Sequence, residues 1–188
     1  MRTGLFFGSF NPIHTGHLIV AQFILNQTDL NEIWFVVSPQ NPLKSGSDLI
    51  DEKDRLKMVE LAIEPQPQFK ACSVEFDMPR PSYTFNTLQK LGEDHPDEEF
   101  VLILGSDNLE HFDKWKEHEQ ILLDYDLIVY NRDSSTGGDF AKNQKVRVMK
   151  GPMLNISSTL VRSYKRMGKS VKFLVPEVVE AYLDKLED

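Results

Sequence analysis

The stretch TGLFFGSFNPIHTGHLIVAQFILNQ, residues 3–27, decides the fold. Residues 3–8 form a short apolar run that ends in glycine and reads as a buried strand. Ser9, Phe10, Asn11 and Pro12 follow Gly8, a set rich in turn formers. From residue 17 to 27 apolar side chains recur at helical spacing. A strand that passes through a glycine turn into a helix is the opening of a βαβ unit. His14 and His17 stand three residues apart at the head of the helix, so both project from one face.

The alternation continues along the chain. Apolar runs at 32–38, 69–76 (a run that bends), 99–107, 126–132 and 145–150 read as strands. Helical patterns fall at 51–63, 82–93, 117–125, 156–168 and 176–188. The first of these carries acidic residues in its opening turn. Ser82 serves as an N-cap for the second, Gly168 ends the fourth, and Pro176 opens the last. The strands are continuous apolar runs, as expected where helices cover both faces of a parallel sheet. The pattern predicts an α/β chain: a Rossmann-like, doubly wound, mostly parallel sheet with helices on both faces. Residues 1–188 read as one domain, with a helical segment from about 157 packed on it. Residues 38–48 and 131–144 read as loops.

Composition narrows the partners. Lys and Arg number 21 against 29 Asp and Glu, a net charge of −8. A chain whose main partner was DNA or RNA would carry a basic excess. Anion binding is therefore expected in a local basic pocket rather than over a face. No apolar run approaches the roughly 20 residues needed to span a bilayer. The opening MRTGLFFGSF lacks the apolar core of a secretion signal, so a cytoplasmic protein is expected. Cys72 is the one cysteine and reads as a small packing residue. Trp34 lies inside an apolar strand and reads as core. His95, His111 and His118 lie among charges and read as solvated.

In open parallel sheets ligands bind beyond the carboxyl ends of the strands, where the strand order reverses. An order beginning 3-2-1-4-5 would put strands one and four side by side at that point. Their ends carry GSFNPIHTGH and GSDN, two Gly-Ser turns that bring backbone close to a ligand. The helix after strand one points its amides and dipole into the crevice, which suits phosphate. Neither G-x-G-x-x-G nor G-x-x-x-x-G-K-[ST] is present. The spacing of His14 and His17 and the missing carboxylate of H-E-x-x-H point away from zinc.

GSFNPIHTGH resembles the H-x-G-H signature of the nucleotidylyltransferase superfamily, and ISSTLVR at 156–162 resembles its second signature, I-S-S-T-x-[IV]-R. SPQNPLK, RLKMVELA, SYTFNTL, GSDNLEHFDKW and FLVPEVVEAYL are similar, in order, to segments of the bacterial nicotinate mononucleotide adenylyltransferases. Together they span nearly the whole chain. Ser9 and Asn11 stand where that family more often has threonine or glycine and aspartate.

The resemblance implies transfer of AMP from ATP to nicotinate mononucleotide, with release of pyrophosphate, in NAD synthesis. It implies magnesium bridging the ATP phosphates, with no metal ligand among the site residues. His14, His17, Lys44 and Arg162 would be the catalytic donors. Gly8, Ser9, Phe10, His14, His17, Gly105, Asp107, Ile156, Ser157, Ser158, Thr159 and Arg162 would contact ATP. Ser82, Tyr83, Thr84, Trp115 and Lys116 would contact the acceptor. The amides at the start of the helix holding Tyr83 and Thr84 suit a ring carboxylate better than a carboxamide. Trp115 stands in a polar stretch, where its face could stack on a cationic pyridinium ring. Two other readings remain open at this level: the same transfer to another acceptor, such as phosphopantetheine or a cytidylyltransferase substrate, and a nucleotide-binding regulator without turnover. The sequence leaves oligomeric state open, a homo-oligomer included.

Overall fold

The computed structural model describes residues 1–39, 49–131, 138–152 and 154–187. Six strands form one sheet: β1 (Arg2–Gly8), β2 (Glu32–Val37), β3 (Phe69–Cys72), β4 (Glu99–Gly105), β5 (Asp126–Asn131) and β6 (Val146–Lys150). Their order is β3-β2-β1-β4-β5-β6, with every neighbouring pair parallel. The order reverses between β1 and β4, in agreement with the supposed start 3-2-1-4-5. The helices are α1 (Thr15–Gln27), α2 (Glu52–Ile63), α3 (Thr84–Asp94), the single turn α4 (Ser106–Leu109), α5 (His118–Asp124), α6 (Ser158–Arg166) and α7 (Glu177–Glu187).

Strand side chains alternate between two apolar cores. Ile33, Phe35 and Val37 of β2 pack with Val20 and Ile24 of α1, Met58 of α2, and Val179 and Leu183 of α7. Trp34 and Val36 pack with Leu88 and Leu91 of α3 and Ile121 of α5. Burying each large apolar side chain of this kind contributes about 1.5–3 kcal/mol. At the amino-terminal edge Arg2 gathers three carboxylates: Nη1 to Asp29 at 2.6 Å, Nε to Glu99 at 2.8 Å and Nη2 to Asp126 at 2.5 Å.

Several local expectations shift. α1 begins at Thr15 rather than residue 17, with His14 as its N-cap. β3 stops at Cys72, and residues Val74–Asp77 form a 3-10 turn instead of continuing the strand. Ser82 is not the cap of α3; Tyr83 is. β4 ends at Gly105, and the next residues turn into α4. α6 is capped by Ser157, whose Oγ accepts from the Leu160 amide at 3.1 Å. The chain turns at Gly168 with φ of 64°, a left-handed conformation that glycine adopts without cost. His118 is half-buried, against Phe112 and Phe140, not solvated. Cys72 is half-buried, and burial pushes its thiol above the usual range, as suits a packing residue.

Candidate active site

The carboxyl ends of β1 and β4 open side by side, and the β1–α1 turn lines the gap. Close packing dictates its glycines. A Cβ on Gly8 would lie 2.8 Å from the Phe10 ring, and one on Gly16 would lie 3.0 Å from His14 Nδ1. Phe10 holds φ of 44°, which costs a bulky residue energy and persists where the surroundings fix it. Phe10 is 2% exposed.

The two histidines are fixed differently. His14 is 2% exposed, and its ring stacks on His17 at 3.7 Å and 22°. The backbone N–H of His14 donates to His17 Nδ1 at 3.2 Å. An imidazole nitrogen that accepts carries no proton, so this bond places the proton of neutral His17 on Nε2. His17 thus takes the part of a capping-box glutamate on its Nδ1 side and is a donor on the other. Phe10 and Phe6 meet its ring edge-on at 5.1 and 6.1 Å and fix its plane.

The two signatures meet although they lie far apart in sequence. Ser158 Oγ donates to the Pro12 carbonyl at 2.9 Å, and Arg162 Nη1 donates to the Asn11 carbonyl at 2.7 Å. Ile156 lies next to the turn, its Cβ 3.7 Å from where a Cβ on Gly16 would stand. Thr159 is exposed in the first turn of α6. On the β4 side Gly105 is half-buried, Asp107 is exposed on α4, and Ser106 Oγ reaches Asn131 Oδ1 at 3.4 Å. Lys44 lies outside the described residues.

Arg55 of α2 was not legible as a site residue. It is fully buried. Its guanidinium donates to four carbonyls: Ile50 at 2.8 Å, Ser9 at 2.5 Å, Ser38 at 2.7 Å and Pro39 at 2.9 Å. It therefore ties the β1 turn to the end of β2. Burial lowers its pKa from the usual arginine value, yet a guanidinium keeps its proton. Among the described residues no carboxylate stands within ion-pair distance of it, and Glu52 and Asp51 offset its charge only from further off.

A second group lies at the start of α3. Tyr83 is exposed, and Lys116 Nζ sits 5.4 Å from the centre of its ring and donates to Asn86 Oδ1 at 3.2 Å. Thr84 is half-buried in the first turn of α3. Trp115 is half-buried, tilted on Phe112 at 5.2 Å; part of its ring packs on the core and part remains accessible. Ser82 is buried, with its hydroxyl turned inward to Glu75 at 2.7 Å. Among the described residues no three His, Cys, Asp or Glu side chains stand together as metal ligands. None of the described helices is long and apolar enough to cross a membrane.

The sequence model of the cytidylyltransferase-like family matches residues 5–164. A protein of Cytophaga hutchinsonii named "Probable nicotinate-nucleotide adenylyltransferase" is 48% identical over 180 residues, 96% of this chain and 94% of that protein. One of the same name from Bacteroides thetaiotaomicron is 43% identical over 96% of this chain and 90% of its own. The fold matches that of a Plasmodium falciparum nicotinic acid mononucleotide adenylyltransferase solved with NaAD. The TM-score is 0.82 at 24% identity, over 99% of this chain and 96% of that one. The chain belongs to the nicotinate-nucleotide adenylyltransferases, nucleotidyltransferases of the cytidylyltransferase-like family.

Proposed function

We propose that this chain joins ATP to nicotinate mononucleotide, giving nicotinate adenine dinucleotide and pyrophosphate. The observation that carries the reading is the β1–α1 turn, with an oriented His17 donor at a helix N-terminus and the second signature docked on its carbonyls. An oxygen of the acceptor's phosphate attacks the α-phosphorus of ATP. The bond from that phosphorus to the bridging oxygen of the β-phosphate breaks, and pyrophosphate leaves with the electron pair. No covalent enzyme intermediate forms. A phosphate monoester has its second pKa near ~6, so the nucleophile is charged at neutral pH and needs no base. The work left to the protein is to align two polyanions and to stabilise charge on phosphoryl oxygens.

His17 Nε2–H and His14 serve the α-phosphate. Ser157, Ser158, Thr159 and Arg162 hold the other phosphates from the start of α6, with Lys44 as a further cation. Gly8, Ser9, Phe10, Gly105, Asp107 and Ile156 receive the adenosine. Imidazole, guanidinium, hydroxyl and amide groups suit phosphate oxygens rather than a divalent cation. The chemistry of that donor set fits magnesium held by the phosphates, where it would neutralise part of their charge. On the acceptor side, the first amides of α3 and Thr84 take the ring carboxylate, the accessible part of Trp115 stacks on the pyridinium, and Lys116 lies alongside. Soluble phosphorylated substrates are in keeping with a cytoplasmic enzyme, and residues 1–188 act as one catalytic unit.

Pyrophosphate release from ATP and magnesium tests the reading. Release with nicotinate mononucleotide above that with the amide is expected. Release with phosphopantetheine but not with nicotinate mononucleotide would overturn it.

A further inference from the structure

Glu75, Ser82 and Thr87 make a separate buried polar group, at 2%, 6% and 0% exposure. Glu75 stands on the 3-10 turn after β3. Its carboxyl accepts from Ser82 Oγ at 2.7 Å and from Thr87 Oγ1 at 2.8 Å. Thr87 Oγ1 also lies 3.2 Å from the Tyr83 carbonyl, which accepts the first intrahelical bond of α3 from the Thr87 amide. A carboxyl buried there is costly without partners, and apolar side chains of the same shape would fill the space at lower cost. The group therefore does something that packing alone would not. It links the turn after β3 to the residue before the α3 cap and to the fourth residue of α3. The N-terminal turn of α3 is held from both ends by one side chain.

We infer that Glu75 is a positioning residue for the acceptor. Through Ser82 and Thr87 it sets the direction of the first α3 amides, and so the discrimination between a ring carboxylate and a carboxamide. The inference rests on the acceptor site proposed above. It also gives Ser82 a different part: its hydroxyl supports the helix from behind rather than meeting the ligand.

Steady-state kinetics of Glu75→Ala, Glu75→Gln and Thr87→Val separate this role from plain scaffolding. For Glu75→Ala we expect KM for nicotinate mononucleotide to rise about tenfold and the acid-over-amide ratio to fall, as for loss of a buried hydrogen-bond acceptor. KM for ATP should stay within about twofold. Glu75→Gln keeps the shape and one acceptor oxygen and should restore most of the difference. If the alanine variant does not fold, Thr87→Val carries the same test, with about a threefold rise expected from one lost bond. Equal shifts in both KM values, or a lowered melting temperature with unchanged kinetics, would overturn the inference. A wild-type protein that makes no dinucleotide from nicotinate mononucleotide would overturn the acceptor reading itself.

Discussion

At the scale of single residues the site is built on main-chain bonds that orient side chains. The His14 amide on His17 Nδ1 is the plainest case. It selects the tautomer that donates from Nε2, and a donor aimed at charge developing on phosphorus acts chiefly in the transition state. His17→Ala should therefore lower kcat by about 10²-fold or more, with KM for both substrates changed far less. An unchanged kcat would remove His17 from the chemistry. Both histidines were legible in the sequence because two of them follow a glycine turn at a strand end. Arg55 was not. Its place three and four residues before Met58 and Val59 puts it on the buried face of α2, but a charged residue near the head of an amphipathic helix reads as solvent-facing. It is buried because carbonyls from residues 9, 38, 39 and 50 converge on it, and those partners are tertiary and have no local signal.

At the scale of elements, strands read more surely than the polar turns between them. Apolar runs marked all six strands, the third by alternation, and the supposed order 3-2-1-4-5 holds, with β6 added beside β5. The third run misled at its end. Its alternation suggested a strand through residue 76, but Glu75 turns inward to the hydroxyls of Ser82 and Thr87, and the chain coils into a 3-10 turn. Ser82 misled for the same reason: a serine before a helix reads as a cap, and this one is taken by a buried partner. The helical pattern reads from residue 17, yet α1 begins at Thr15, and close approach to His14 requires glycine inside it. The turn at Phe112–Lys114 places Trp115 and Lys116 near the start of α3. Trp115→Ala should mainly raise KM for the mononucleotide, by about fivefold to thirtyfold for a desolvated cation–π contact. A change confined to KM for ATP would reject stacking.

At the scale of the whole molecule the two ends of the sheet divide stability from chemistry. The amino-terminal edge is held by Arg2, and its hydrogen bonds to Asp29 keep that carboxyl below its usual value of 3.8. A carboxyl whose folded pKa is depressed adds stability above the unfolded pKa and loses it as pH falls through the folded one. Arg2→Ala should lower the melting temperature at pH 7, and the gap from wild type should narrow as pH drops below about 4. A gap that is constant down to pH 2 would show that the arginine acts through packing alone. At the carboxyl end, the second signature grips the first through the carbonyls of Asn11 and Pro12. A carbonyl is the same whatever side chain stands beside it. Substitutions that keep the loop's backbone path can therefore drift at Pro12 with no answering change at Ser158. Covariation between these two positions across relatives should be weak even though they touch, leaving a contact that comparative sequence statistics would pass over.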